Sequence, residues 1–105
     1  MAYARTVTFR ARPGKRENVV STIDSFTGEG EELEGFMGIT ALLSTSDPDT
    51  GVMLTMWESE EALNSSYEGI VQKVMESVKE FLGEPPDIKH FRVREMTSQL
   101  IPVTT

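Results

Sequence analysis

Leu54-Thr55-Met56-Trp57-Glu58-Ser59-Glu60-Glu61-Ala62-Leu63 decides how this chain folds. An apolar run of strand type ends in a Trp and passes through Ser59 into an acidic helix start. The Ser oxygen caps the free N–H groups of a first helical turn, and Glu60 and Glu61 complement their charge, so the stretch reads as a strand-to-helix junction. The rest of the chain is phased from it.

Upstream, Val52 to Trp57 is a strand, and Phe36 to Ser44 (Phe36, Met37, Ile39, Ala41, Leu42, Leu43) is another, apolar on both faces. The turn residues Ser46-Asp47-Pro48-Asp49-Thr50-Gly51 between them predict an antiparallel hairpin with a long loop. Downstream of Ser59, Leu63, Tyr67, Ile70, Val71, Val74, Met75, Val78, Phe81 and Leu82 form a wide helical stripe that Gly69 breaks or bends. Gly83 and Pro85-Pro86 stop it. Ile88 to Met96 is a last strand, with Phe91 and Val93 on one face and His90, Arg92 and Arg94 on the other.

At the other end, Tyr3 to Ala11 alternates: Tyr3, Arg5, Val7 and Phe9 share one face, and Ala4, Thr6, Thr8 and Arg10 the other. Pro13-Gly14 ends this strand, and Val19, Val20, Ile23 and Phe26 give Lys15 to Phe26 a helical period. Gly28 to Gly35, with Glu29, Glu31, Glu32 and Glu34, is expected to be a solvated loop and a candidate mobile lid. It lacks the spaced ligands of a calcium loop.

The order β-α-β-β-α-β predicts an α+β, ferredoxin-like sandwich in one domain over residues 1–105, with 97–105 as a C-terminal extension. Both helices then cover one face of a four-stranded antiparallel sheet. Two-sided apolar strands leave the other face in want of cover, and a homodimer is the expected solution, with Leu100, Ile101 and Val103 placed to lie across the partner.

Composition narrows the function classes. The 105 residues carry 10 basic and 17 acidic side chains, a net charge of −7, which argues against nucleic acid. No run reaches the ~18 apolar residues of a membrane span, and Arg5 and Arg10 interrupt any secretory core at the N-terminus. These features predict a cytoplasmic protein with no membrane partner. There is no Cys, hence no disulfide or thiolate chemistry, and no metal-binding His pair, phosphate-cradling Gly loop or Ser-His-Asp arrangement.

With the Trp57-Glu58-Ser59-Glu60-Glu61-Ala62-Leu63 junction, the opening strand leading to Arg12-Pro13-Gly14-Lys15, and Gly83-Glu84-Pro85-Pro86 before the last strand, the chain resembles the antibiotic biosynthesis monooxygenase (ABM) superfamily of dimeric α+β barrels. The resemblance covers Tyr3 to Met96. It implies paired protomers, each with a pocket between sheet and helices. It also implies a small hydrophobic or aromatic ligand, and either cofactor-independent oxygenation of an aromatic or polyketide-like substrate or a non-catalytic binding or stress-associated role. Haem-degrading members resemble one another in an Asn on the first strand, a second Trp, and a haem-ligating His. Those places fall here on Val7, Ser66 and Glu76, so no haem, and no other cofactor, is expected. Other oxygenases of the superfamily carry a His where Leu63-Asn64-Ser65-Ser66 has Ser66.

Four side chains remain as site candidates. Trp57 is either a core residue with its N–H satisfied locally or an aromatic pocket wall, and Tyr67 is either part of the helical stripe or a hydroxyl that orients a phenolic ligand. His90 and Arg92 are candidate catalytic contacts, a base or an anion clamp, against the plainer reading of exposed strand residues. Arg5, a charge among apolar neighbours, is expected to be paired or to reach solvent, for instance through an acidic residue across the dimer.

Overall fold

The computed structural model describes residues 2–94. The expected close of the last strand at Met96 and the extension over 97–105, with Leu100, Ile101 and Val103, lie outside the described residues.

Four strands form one antiparallel sheet: β1 (Tyr3–Arg10), β2 (Phe36–Leu43), β3 (Thr50–Trp57) and β4 (Asp87–Arg92), in the order β2-β3-β1-β4. The helices are α1 (Arg16–Asp24), α2 (Thr27–Glu31), α3 (Glu60–Glu68) and α4 (Ile70–Val78), followed by a 3₁₀ turn at Lys79–Phe81. This is the expected ferredoxin-like α+β arrangement.

The junction at Trp57 is as its residues require. Ser59 is extended, and its Oγ accepts from the Ala62 N–H at 3.1 Å, while Glu60 and Glu61 occupy the first turn of α3. Gly69, at φ −107° and ψ −96°, separates α3 from α4. Each helix can therefore turn its own apolar face to the sheet.

The hairpin loop is tied by its own polar residues. Asp47 accepts from the Asp49 N–H at 3.0 Å and from Thr50 Oγ1 at 2.8 Å, and these bonds hold its carboxyl below the usual range. Arg16 Nη1, at the start of α1, donates to the carbonyls of Ser44, Asp47 and Thr50.

One expectation is corrected. The Gly- and Glu-rich segment after Phe26 is not entirely a solvated loop: Thr27–Glu31 is a short helix, and Gly30 is buried. A Cβ on Gly30 would meet Ile70 Cδ1 at 3.9 Å and the Phe36 ring at 4.0 Å, ordinary contact distances, so this turn lies beside α4 and β2. Burial of one small residue outweighs the charge of its neighbours, which point outward.

The core lies between the sheet and the helices. Val7 and Phe9 of β1 and Met53 of β3 pack with Val19 and Ile23 of α1 and Val74 and Val78 of α4. Packing is close: a Cβ on Gly51 would stand 2.8 Å from Phe9 Cζ, which fixes a glycine opposite Phe9 in the β1–β3 register. Each row across the sheet places opposed residues on one face. Thus Ile39, Thr55, Arg5 and His90 form a helix-facing row, and Met56, Ala4 and Phe91 one on the far side. No described helix packs on the far side. Leu42 and Phe91 are exposed there, and Val52, Leu54 and Met56 are half-buried.

Candidate functional site

Arg5 projects from the middle of β1 onto the helix-covered face and is 2% exposed. Its period-two phase with Tyr3, Val7 and Phe9 dictates this direction. What it meets is set by α3. Nη2 donates to the carbonyl of Leu63 and, at 2.8 Å, to Ser66 Oγ, while Nε donates at 3.1 Å to Nε2 of His90 on β4. Leu63 and Ser66 stand one helical turn apart on the buried face of α3, and the Ser66 hydroxyl itself donates to the Leu63 carbonyl at 2.7 Å.

All three acceptors are neutral groups of the same chain. Among the described residues its charge is met by dipoles and aromatic faces; an acidic partner across a dimer would come from a second chain. The guanidinium carbon lies 5.8 Å from the Trp57 ring centroid and 5.7 Å from that of Tyr67, distances at which the ring quadrupoles attract a cation. Burial pushes the guanidinium pKa down to about 10, with Tyr67 acting in the opposite direction. Arg5 is still a full cation at neutral pH.

His90 packs edge-on to Tyr67, with centroids 5.5 Å apart. Its Nε2 accepts from Arg5, so the neutral ring carries its proton on Nδ1. Partial burial, and then the Arg5 charge, lower its pKa below the usual imidazole value. Arg92 stands opposite Tyr3 at the end of β4, on the same sheet face as His90 but exposed.

A cavity of about 80 Å³ lies between sheet and helices. Val7, Met53, Thr55 and Trp57 line its sheet side with Arg5, Phe36 closes one end, and Ile70, Val71 and Met75 of α4 cover it with Thr27 and Gly30 of α2. Its polar lining is Arg5, Thr27 and Thr55. Trp57 is 2% exposed; its Nε1 donates to Thr55 Oγ1 at 3.0 Å, and its ring meets Phe36 edge-on at 5.2 Å. An exposed ion pair, Lys73 Nζ to Glu29 Oε1 at 3.1 Å, joins α4 to α2. The space is well below the several hundred Å³ of an open small-molecule pocket, so a ligand larger than a few waters requires Met75, Phe26 or α2 to move. A wider depression, about 450 Å³, lies on the surface between Gln72 and Pro86.

The sequence candidates thus separate. Trp57 lines the cavity. Tyr67 does not; it is 38% exposed and joins His90 around Arg5. Arg5 is the link between the two groups. Thr55, Phe36 and Met53 went unremarked as site residues, although the alternation of β3 puts Met53, Thr55 and Trp57 on one face. The haem-pattern positions are scattered: Val7 lines the cavity, Ser66 is engaged by Arg5, and Glu76 is exposed on α4. They do not fit an axially ligated haem. Among the described residues no group of three or more His, Asp or Glu side chains is placed to hold a metal ion, and no helix is long and apolar enough to cross a membrane.

Residues 2–68 match the family model described as antibiotic biosynthesis monooxygenase. Among solved structures, SnoaB of Streptomyces nogalater, a cofactor-independent oxygenase, superposes with a TM-score of 0.79 at 12% identity, covering 93% of this chain and 98% of that one. A conserved protein of Methanosarcina mazei gives 0.77 at 18% identity, with coverages of 90% and 94%. A protein of unknown function from Nitrosomonas europaea gives 0.73 at 20%, with coverages of 98% and 96%. At these identities the likeness is one of fold. No curated protein sequence matches the chain.

Proposed function

The chain belongs to the antibiotic biosynthesis monooxygenase family, and from that premise we propose that it holds a small aromatic or polyketide-like molecule in the cavity beside Trp57 and oxidises it with dioxygen, without a resident cofactor. The observation that carries this reading is a buried cation, Arg5, set beside an aromatic wall in a cavity whose other polar lining is Thr27 and Thr55. A phenol or enol ionised against such a cation is electron-rich enough to be oxidised by dioxygen. One oxygen atom enters the product as a carbonyl, and the other leaves as water with two hydrogens from the substrate. Trp57 serves as the flat wall. His90, whose Nε2 lone pair is taken by Arg5, is the candidate proton acceptor once that bond opens, with Tyr67 beside it and Arg92 as a contact at the sheet edge.

The working unit in this proposal is a homodimer joined through the far side of the sheet, supported by Leu42, Leu54, Met56 and Phe91 on that uncovered face. The second reading, a binding protein that turns nothing over, is favoured by the small volume of the cavity and by its own Met53, Met75 and Phe26 at the walls.

An oxygen electrode separates the two. With a panel of hydroquinones and anthrones, uptake above the uncatalysed rate, with label from ¹⁸O₂ in the product, is expected of the oxygenase. Ligand-dependent quenching of Trp57 fluorescence without uptake would leave only the binding reading.

A further inference from the structure

The guanidinium of Arg5 has five N–H donors. One on Nε goes to His90, and the two on Nη2 go to Leu63 and Ser66. Both donors on Nη1 lack an acceptor among the described residues. No sealed side-chain nitrogen or oxygen there is without a hydrogen bond, so Nη1 is not shut into the protein matrix but borders open space, and the space that Arg5 lines is the cavity.

Charge leads to the same place. The ion pairs among the described residues are Arg10–Asp47, Lys73–Glu29 and Lys89–Asp87; none involves Arg5. A buried cation balanced by dipoles and aromatic faces alone among the described residues is costly, and an anion on its free edge would offset much of that cost. Apart from Thr27 and Thr55 the remaining walls are apolar or aromatic, which suits a compact organic body and disfavours a hydrated inorganic ion.

We propose that the cavity selects a small aromatic monoanion whose charged oxygen, of a carboxylate or of an ionised phenol or enol, docks on Nη1 of Arg5 while its ring lies against Trp57 and Phe36. The proposal rests on the reading of the cavity as a small-molecule site and adds the donor that holds the occupant's charge and the carboxylate as a second kind of charged group. Arg5 is the specificity-determining residue. The other side of its guanidinium is held by Ser66, the Leu63 carbonyl and His90, which act as positioning groups. The chain's net charge of −7 repels anions at long range, so a preference for an anion over its neutral isostere has to come from a local cation.

Benzoate and benzamide have nearly the same shape and differ in charge, and Trp57 is the only tryptophan, so its fluorescence reports occupancy. Wild-type protein titrated at neutral pH is expected to bind benzoate at least tenfold more tightly than benzamide. Arg5→Gln, its fold verified by circular dichroism, should lose the discrimination and keep the weak benzamide binding. A phenol titrated through its own ionisation distinguishes the two sources of oxyanion: binding that tightens as it ionises assigns the site to phenolates as well as carboxylates, and binding of benzoate alone assigns it to carboxylates. Equal affinity for benzoate and benzamide in the wild type would overturn the anion assignment and leave the cavity reading standing. Failure of both to perturb Trp57 would overturn both. The wild-type pair decides the matter even if Arg5→Gln does not fold.

Discussion

Around Phe9, under α1 and the end of α4, the space above the sheet is filled by Phe9, Val19 and Val78; around Arg5, beside the cavity, the same sheet face carries His90, and α3 presents Ser66 and a backbone carbonyl to the guanidinium. The first region has no polar side chain to satisfy, and its stability comes from burial and close packing. The second is as buried at Arg5, yet its central group is a cation with no carboxylate partner among the described residues. One region holds the fold together. The other bears a desolvation cost that packing alone does not explain, which marks it as the place where function is to be sought.

Substitution at the two centres is expected to separate them. Phe9→Ala, in the packed region, removes a ring that is 2% exposed and should lower unfolding free energy by about 3–5 kcal/mol, read from urea denaturation. Arg5→Met, at an equally buried position, should cost less than about 1 kcal/mol or raise stability, because an unpaired buried charge is replaced by an apolar chain of similar length. Ser66 keeps its bond to the Leu63 carbonyl, so no buried acceptor is orphaned. A loss at Arg5→Met as large as that at Phe9→Ala would mean that both regions are structural.

The smallest expected effect is a pH dependence confined to the polar region. His90 has a lowered pKa, so the unfolded chain takes up the proton first. Its contribution is then in place above the ordinary imidazole value of about 6.5 and is lost as the pH falls from there through the lower folded value. Protonation removes the acceptor for Arg5 Nε and sets two cations side by side. As His90 is the only histidine, its ring protons can be followed by NMR: the midpoint should lie below 6.5 and move up in Arg5→Met, which removes the neighbouring charge. An unchanged midpoint would separate His90 from Arg5.

Much of this arrangement is legible in the chain itself. Strand alternation alone turns Arg5 inward with Val7 and Phe9, and the Ser59-Glu60-Glu61 cap starts α3 where it is found, because both depend on residues a few positions apart. Gly69 is visible as a break for the same reason. The short helix α2 was not legible, since a run of Gly and Glu has little propensity of its own and takes its place from packing against β2. Nor was the separation of Trp57, in the cavity, from Tyr67, outside it.

The element order, the β-to-α junction and the inward face of β1 are thus properties of the sequence by itself, written in periods of two and 3.6 residues and in caps. The partners of Arg5 are not. Leu63 and His90 lie 58 and 85 residues away along the chain and reach the guanidinium only once β1 has paired with β4 and α3 has settled over the sheet. Tertiary structure decided that this charge meets neutral dipoles and a cavity, because contacts at such separations are set by register and packing, which no local pattern encodes.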